Sequence, residues 1–234
     1  MRLLTALAGI LAVAALAAPG AAVALTSKTC AQQPAFRCAT LTVPLDRSGG
    51  VPGTIPLKIA YQRGSKPVLV ALTGGPGQSG LPFAGQFSES LAPALGRYRL
   101  AVLDQRGTGR SGLLKCPSLQ KLTTLSPFTP EGVADCAASL GSRRAFFSTV
   151  DTVDDLEALR VALHSPTLAL MGVSYGTYVA TQYARIHPDR VDRLILDSTL
   201  GPDGVDPFAL DTYSRLPRIL RSMCSGGACR GATD

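Results

Sequence analysis

The chain has 234 residues, 46% of them apolar and 17% charged, with a formal charge of +7. That length fits one large domain or one domain and part of another, and that composition excludes an intrinsically disordered chain. The 23 basic residues are scattered, with Arg143-Arg144 the tightest group, and tryptophan is absent, which argues against a basic stripe or an aromatic platform for nucleic acid.

Arg2 precedes an apolar run from Leu3 to Ala18, then Pro19-Gly20 and the small residues Ala21-Ala22-Val23-Ala24. A positive start, an apolar stretch and an A-x-A site predict a signal peptide over residues 1–24, cleaved after Ala24. The apolar run is about 16 residues, short of the ~20 that a spanning helix needs, so no stable membrane anchor is expected after cleavage. All six cysteines (Cys30, Cys38, Cys116, Cys136, Cys224 and Cys229) lie beyond that site. An even count in an exported chain reads as disulfides, and six cysteines allow 15 pairings. Sequence alone does not choose among them; nearest-neighbour pairing, which closes short loops, is the expectation. Neither C-x-x-C nor a histidine at ligand spacing is present, so no metal site is expected.

Short apolar runs then alternate with helical patterns, the signature of βαβ units. Ala39–Leu45 and Ile55–Gln62 are expected strands, joined by the Gly/Pro-rich turn Ser48–Gly53. Pro67–Leu72 and Tyr98–Asp104 are expected buried strands, each running into a glycine-bearing loop. Residues 113–150 read as irregular, with one short helix after Pro130. Thr152–Leu163 is the clearest helix: Thr152 and Asp155 fit a capping box, and Val153, Leu156, Leu159 and Leu163 form a stripe at helical spacing. Thr167–Met171 is a strand, followed by an elbow at Gly172–Gly176 and a helix to His187 that Pro188 stops. Val191–Leu196 is a further strand, and residues 206–222 suggest an amphipathic helix.

The chemistry concentrates in three loops. Gly172-Val173-Ser174-Tyr175-Gly176 follows a strand and opens a helix. That context predicts a tight turn that pushes the Ser174 hydroxyl over the carboxyl edge of the sheet. Gly172 and Gly176 permit the turn where a Cβ would collide, and the helix start behind it offers free N–H groups. Gly74-Gly75-Pro76-Gly77 leaves the same edge, where α/β folds place ligands. A backbone N–H from this loop, with that of Tyr175, would form a hole for an oxyanion, each donor worth ~3–4 kcal/mol in the transition state. The third loop, Asp104 to Gly112, reads as structural, with charges such as Asp104 and Arg106 pairing with one another.

On these pieces the chain resembles the prolyl and tripeptidyl aminopeptidases of the α/β-hydrolase fold, exported members included. The resemblance is carried by TGGPGQSG (Thr73–Gly80), LDQRGTGRSG (Leu103–Gly112), GVSYGTYVA (Gly172–Ala180) and HPDRVDRLILDS (His187–Ser198). It implies a mostly parallel sheet with helices on both faces, Ser174 as nucleophile, and Gly75 and Tyr175 as oxyanion donors. Gly74, Pro76, Gly77, Gly172, Gly176, Asp104 and Arg106 would shape the supporting loops. The family commonly has His where this chain has Thr73. Residues 25–205 would be the hydrolase core and 206–234 the start of a cap region.

A serine nucleophile needs a base, and in this fold the order is Ser, acid, His. After Ser174 the only histidine is His187, thirteen residues along the helix and so ~20 Å away. His164 precedes the strand that leads to the elbow, which puts it at the opposite edge of the sheet. Asp197, at a strand end beside the elbow, is a candidate acid. The resemblance places both acid and His beyond a cap, so the expectation is an amino-terminal part of an exported serine aminopeptidase, inactive alone and lacking its last strands. The substrate would be a peptide or small ester, with no cofactor. An esterase or lipase of the same fold and a non-catalytic, degenerate hydrolase module are the alternatives.

Overall fold

The computed structural model describes residues 25–122, 129–201 and 210–229. Seven strands form one sheet: β1 (Ser27–Cys30), β2 (Gln33–Pro44), β3 (Thr54–Tyr61), β4 (Val68–Leu72), β5 (Arg99–Leu103), β6 (Leu168–Val173) and β7 (Val191–Asp197). The α-helices are α1 (Ala84–Ser90), α2 (Ala92–Leu95), α3 (Pro117–Gln120), α4 (Pro130–Leu140), α5 (Thr149–Ala162), α6 (Tyr175–Ile186) and α7 (Leu210–Met223). The strand order is β1-β2-β3-β5-β4-β6-β7. The first three strands join as antiparallel neighbours and the last four are mutually parallel, so five of the seven run the same way.

The parallel strands show why apolar runs become a two-faced core. In β4, Val68, Val70 and Leu72 enter one cluster while Leu69 and Ala71 enter the other. The same alternation divides β5 and β6, because successive side chains of a strand point to opposite faces. Val153, Leu156 and Leu159 of α5 and Val179, Ala180 and Tyr183 of α6 cover the first face. Ala84 and Phe87 of α1, with Leu91, cover the second. Helices therefore lie on both faces, as the resemblance implies. Tyr183, fully buried, joins α6 to α5 by donating its hydroxyl to Glu157 Oε2 at 2.9 Å.

Several expected elements shift. β1 and the first half of β2 were not anticipated: their polar residues do not alternate with apolar ones. The hairpin is instead held by the Cys30–Cys38 disulfide and by Arg37, which donates to Thr29 Oγ1 at 2.8 Å. The region after Gly112 is more helical than expected, with α3, α4 and a 3-10 turn over Gly141–Phe146. α3 and α4 are tied by Cys116–Cys136, and Thr129 caps α4 by accepting the Gly132 N–H. α7 matches the expected amphipathic segment, although residues 206–209 lie outside the described ones. With Cys224–Cys229, all three disulfides join nearest neighbours.

The N-terminus of α5 is corrected by one turn. The cap is Ser148, which accepts the Asp151 N–H while the Asp151 carboxylate accepts the Ser148 N–H. Ser148/Asp151 and Thr152/Asp155 carry the same spacing, and the second pair is not free to cap. The Asp155 side chain is fully buried and takes both Nε and Nη2 of Arg106, at 2.7 and 2.6 Å. Arg47 reaches the same carboxylate at 2.7 Å. Burial pushes the Asp155 carboxyl up, against the pull of Arg106 and Arg47. The charges of the 104–112 loop thus do not pair with one another, as expected, but across the fold: Arg106 Nη1 also donates to the Phe146 carbonyl at 2.7 Å.

β7 pairs with β6 alone. Leu194, Ile195 and Leu196 are 36–38% exposed, so this strand is only partly covered and its outer edge is unpaired among the described residues. A buried ion pair broken on one side leaves a charge without compensation. Asp155→Ala should therefore cost about 3–5 kcal/mol in urea unfolding. Arg106→Met with Asp155→Leu should recover most of that loss, because apolar groups of similar volume need no partner.

Candidate active site

Ser174 sits between β6 and α6 with φ 52° and ψ −120°, a conformation that an L-residue adopts only under constraint. The constraint comes from the glycines on either side. A Cβ on Gly172 would lie 2.4 Å from the carbonyl group of Gly176, and one on Gly176 would lie 2.5 Å from the Leu72 carbonyl oxygen. The elbow is thus pressed into itself and onto the end of β4. Three hydrogen bonds fix the serine's backbone. Its N–H donates to the Asp197 carbonyl at 2.9 Å. Its carbonyl accepts the Thr177 N–H at 2.9 Å and the Thr177 hydroxyl at 2.6 Å. The side chain is left half-buried.

The glycine loop lies directly against it. A Cβ on Gly74 would stand 3.0 Å from Ser174 Cβ and 3.5 Å from Ser174 Oγ. The structure therefore brings the two loops together over the carboxyl ends of β4 and β6. The loop is held open by its own residues. Gly74 N–H donates to Gln78 Oε1 at 3.2 Å, and Thr73 Oγ1 donates to the Gln78 carbonyl at 2.9 Å. The Gly74 N–H is thereby engaged within the loop. Tyr175 opens α6, so its N–H is among the first-turn donors without an acceptor inside the helix. Its hydroxyl meets Thr149 Oγ1 at 2.8 Å, and burial pushes that phenol up.

Asp104 anchors the far side of the loop. It is 1% exposed and accepts Ser79 Oγ at 2.6 Å, Gly80 N–H at 2.9 Å and Leu81 N–H at 3.0 Å. Its second oxygen accepts the Arg110 N–H at 2.9 Å. Asp104 thus ties the loop after β4 to the loop after β5. Gln78 and Ser79 were not singled out from the sequence; their place inside the TGGPGQSG run was the available signal. Thr73, where the resembled family has His, is buried and bonded within the loop.

The remaining sequence candidates stand apart. Asp197 meets the elbow through its backbone carbonyl, and its carboxylate accepts the Ser198 hydroxyl at 2.9 Å. His164 has φ 52° in the turn before β6, at the opposite edge. His187 follows the last residue of the 12-residue α6, so about 18 Å of helix separates it from Ser174. Its ring lies against Tyr183 with centroids 5.1 Å apart. No group of three or more metal-ligating side chains occurs among the described residues.

A mostly parallel sheet with helices on both faces, and a serine on a strained strand-to-helix turn against a glycine loop, defines a hydrolase scaffold. Residues 67–219 match the family model described as alpha/beta hydrolase fold, and the chain belongs to that family. It is 28% identical over 194 residues to the tripeptidyl aminopeptidase of Streptomyces lividans, covering 71% of this chain and 36% of that one. It is 32% identical over 193 residues to the serine protease Hip1 of Mycobacterium tuberculosis strain H37Rv, covering 73% and 37%. The crystal structure of a proline iminopeptidase-related protein from Thermus thermophilus aligns with a TM-score of 0.43 at 25% identity, over 68% of this chain and 44% of that one. The chain spans about a third of the length of the curated relatives named here.

Backbone strain at Ser174 has a measurable sign. Ser174→Gly should raise stability by about 1 kcal/mol, because glycine adopts the positive φ without penalty. Gly172→Ala should lower it by about 3 kcal/mol or more, since a methyl group cannot enter the packed elbow. Urea midpoints at constant m-value check both.

Proposed function

We propose that this chain presents the nucleophile and the oxyanion hole of an exported serine aminopeptidase. The observation that carries the reading is the placement of Ser174, strained at the elbow and set against Gly74. Ser174 Oγ would attack the carbonyl carbon of the scissile bond, and its proton would pass to a general base. The amides of Gly75 and Tyr175 would hold the oxyanion that forms. Collapse of that intermediate expels the amine with a proton and leaves an acyl group on Ser174. Water then adds to the acyl carbon, and the acid is released as the serine regains its hydrogen. The relatives' names, tripeptidyl aminopeptidase and serine protease, support a peptide as substrate. The three disulfides and the leader-like residues 1–24 support export.

The base is not one of this chain's two histidines. His164 and His187 both lie away from the elbow, so the base would come from other polypeptide. The chain alone should therefore turn over no substrate efficiently. A fluorophosphonate should label Ser174 and no other residue, at least ~1,000-fold slower than a serine hydrolase with its base in place. Peptide mapping of the adduct over time checks both points. Rapid stoichiometric labelling, lost in Ser174→Ala, would remove the absent-base argument, and an adduct elsewhere would remove the nucleophile assignment. Peptides with a free amino terminus should protect Ser174 from the probe better than acetylated peptides or short-chain esters. Better protection by the esters would favour an esterase.

A further inference from the structure

α7 is built unlike the helices of the sheet body. Tyr213, Leu216, Ile219, Leu220 and Met223 are exposed, from 38% at Leu216 to 67% at Met223. At about 100° per residue these five side chains fall within one arc of about 120°. Arg215, Arg218, Arg221, Ser214 and Ser222 fill the opposite arc. Arg215 lies about 40° from Ile219, at the border of the apolar side, whereas Arg221 and Arg218 lie about 80° and 100° from the nearest of the five, on the far side of the helix. Between Asp211 and Asp234 the sequence holds no acidic residue. The Cys224–Cys229 disulfide closes a short loop directly after the helix.

We propose that α7 is a membrane-surface helix, which seats its apolar side in an anionic phospholipid bilayer. The charge pattern selects this occupant. An arginine at the border of an apolar arc, as Arg215 is, can lay its stem on it and lift its guanidinium group to the phosphates, and the two arginines on the polar side add attraction to an anionic surface. A second copy of the chain would bring the same three arginines and no carboxylate to meet them. At 14 residues the helix is about 21 Å long, too short for a hydrocarbon core of about 30 Å, so it lies in the plane of the interface. Adsorption of this kind is reversible and differs from an anchor.

Hydrogen exchange of the full chain, read by mass spectrometry on peptides covering 213–223, tests the proposal independently of any binding by residues 1–24. The probes are vesicles of phosphatidylglycerol with phosphatidylcholine, and of phosphatidylcholine alone. Protection of the α7 amides is expected with the anionic vesicles and little with the neutral ones. Leu216→Asp with Leu220→Asp should abolish that protection. Arg215→Gln with Arg221→Gln should raise the lipid needed for half-protection about thirtyfold, and Arg218→Gln alone should raise it less than Arg215→Gln alone. No protection, equal protection by neutral vesicles, or equal effects of Arg215→Gln and Arg218→Gln would overturn the proposal. Protection that is already present without lipid and grows with protein concentration would overturn it in favour of self-association. Labelling of Ser174 is measured in the same variants without vesicles, so the two readings fail separately.

Discussion

The close approach of two glycines to backbone fixes the rest of the site. Gly172 and Gly176 leave no room for a β-carbon against each other and against the end of β4. That packing turns the chain sharply between β6 and α6 and forces Ser174, the residue between them, to positive φ. A serine in that conformation cannot fold its side chain into the turn, so the hydroxyl projects toward the neighbouring loop. The strain is sustained because the core over-determines it: β4 and β6 pair along their full common length, and the helix that follows is buried by Val179, Ala180 and Tyr183. A loosely packed elbow would relax into an ordinary turn, and the hydroxyl would be lost to the site.

A presented hydroxyl is of use only if the facing amides are held still. Two buried carboxylates do this, by different means. Asp104 takes four donors from two loops and so welds the glycine loop to the loop after β5. Asp155 takes Arg106 from that second loop and locks it onto α5. Between them they connect the glycine loop, through β5 and its loop, to a helix on one face of the sheet. Preorganised donors of this kind lower a barrier because they need no reorganisation at the moment of reaction. The electrostatic cost of burying the carboxylates is the counterpart of that rigidity.

What could be read beforehand follows from the range of each interaction. The elbow, the glycine loop and the parallel strands were legible because the physics is local: G-x-S-x-G between a strand and a helix, and five-residue apolar runs such as Val68–Leu72. The stripe of Val153, Leu156 and Leu159 was legible for the same reason. The start of α5 was misplaced because two Ser/Thr-x-x-Asp patterns follow one another, and only the partner of Asp155, 49 residues away, decides between them. β1 was invisible because a disulfide and an arginine, not alternation, hold it. Gln78 carries no signal of its own; its role appears when the loop folds back so that its side chain engages Gly74.

The exposed surfaces divide in the same way as the chemistry. The described residues set Ser174 against the glycine loop and cover β4, β5 and β6 on both faces. They leave β7, the strand whose end receives the Ser174 amide, open on its outer edge. A parallel strand with Leu194, Ile195 and Leu196 exposed is a template for further pairing. Any polypeptide that adds a strand there extends the carboxyl edge of the sheet on the side of the elbow, since in open α/β sheets ligands sit beyond the carboxyl ends of the strands. Pairing at β7 would remove an apolar edge from water.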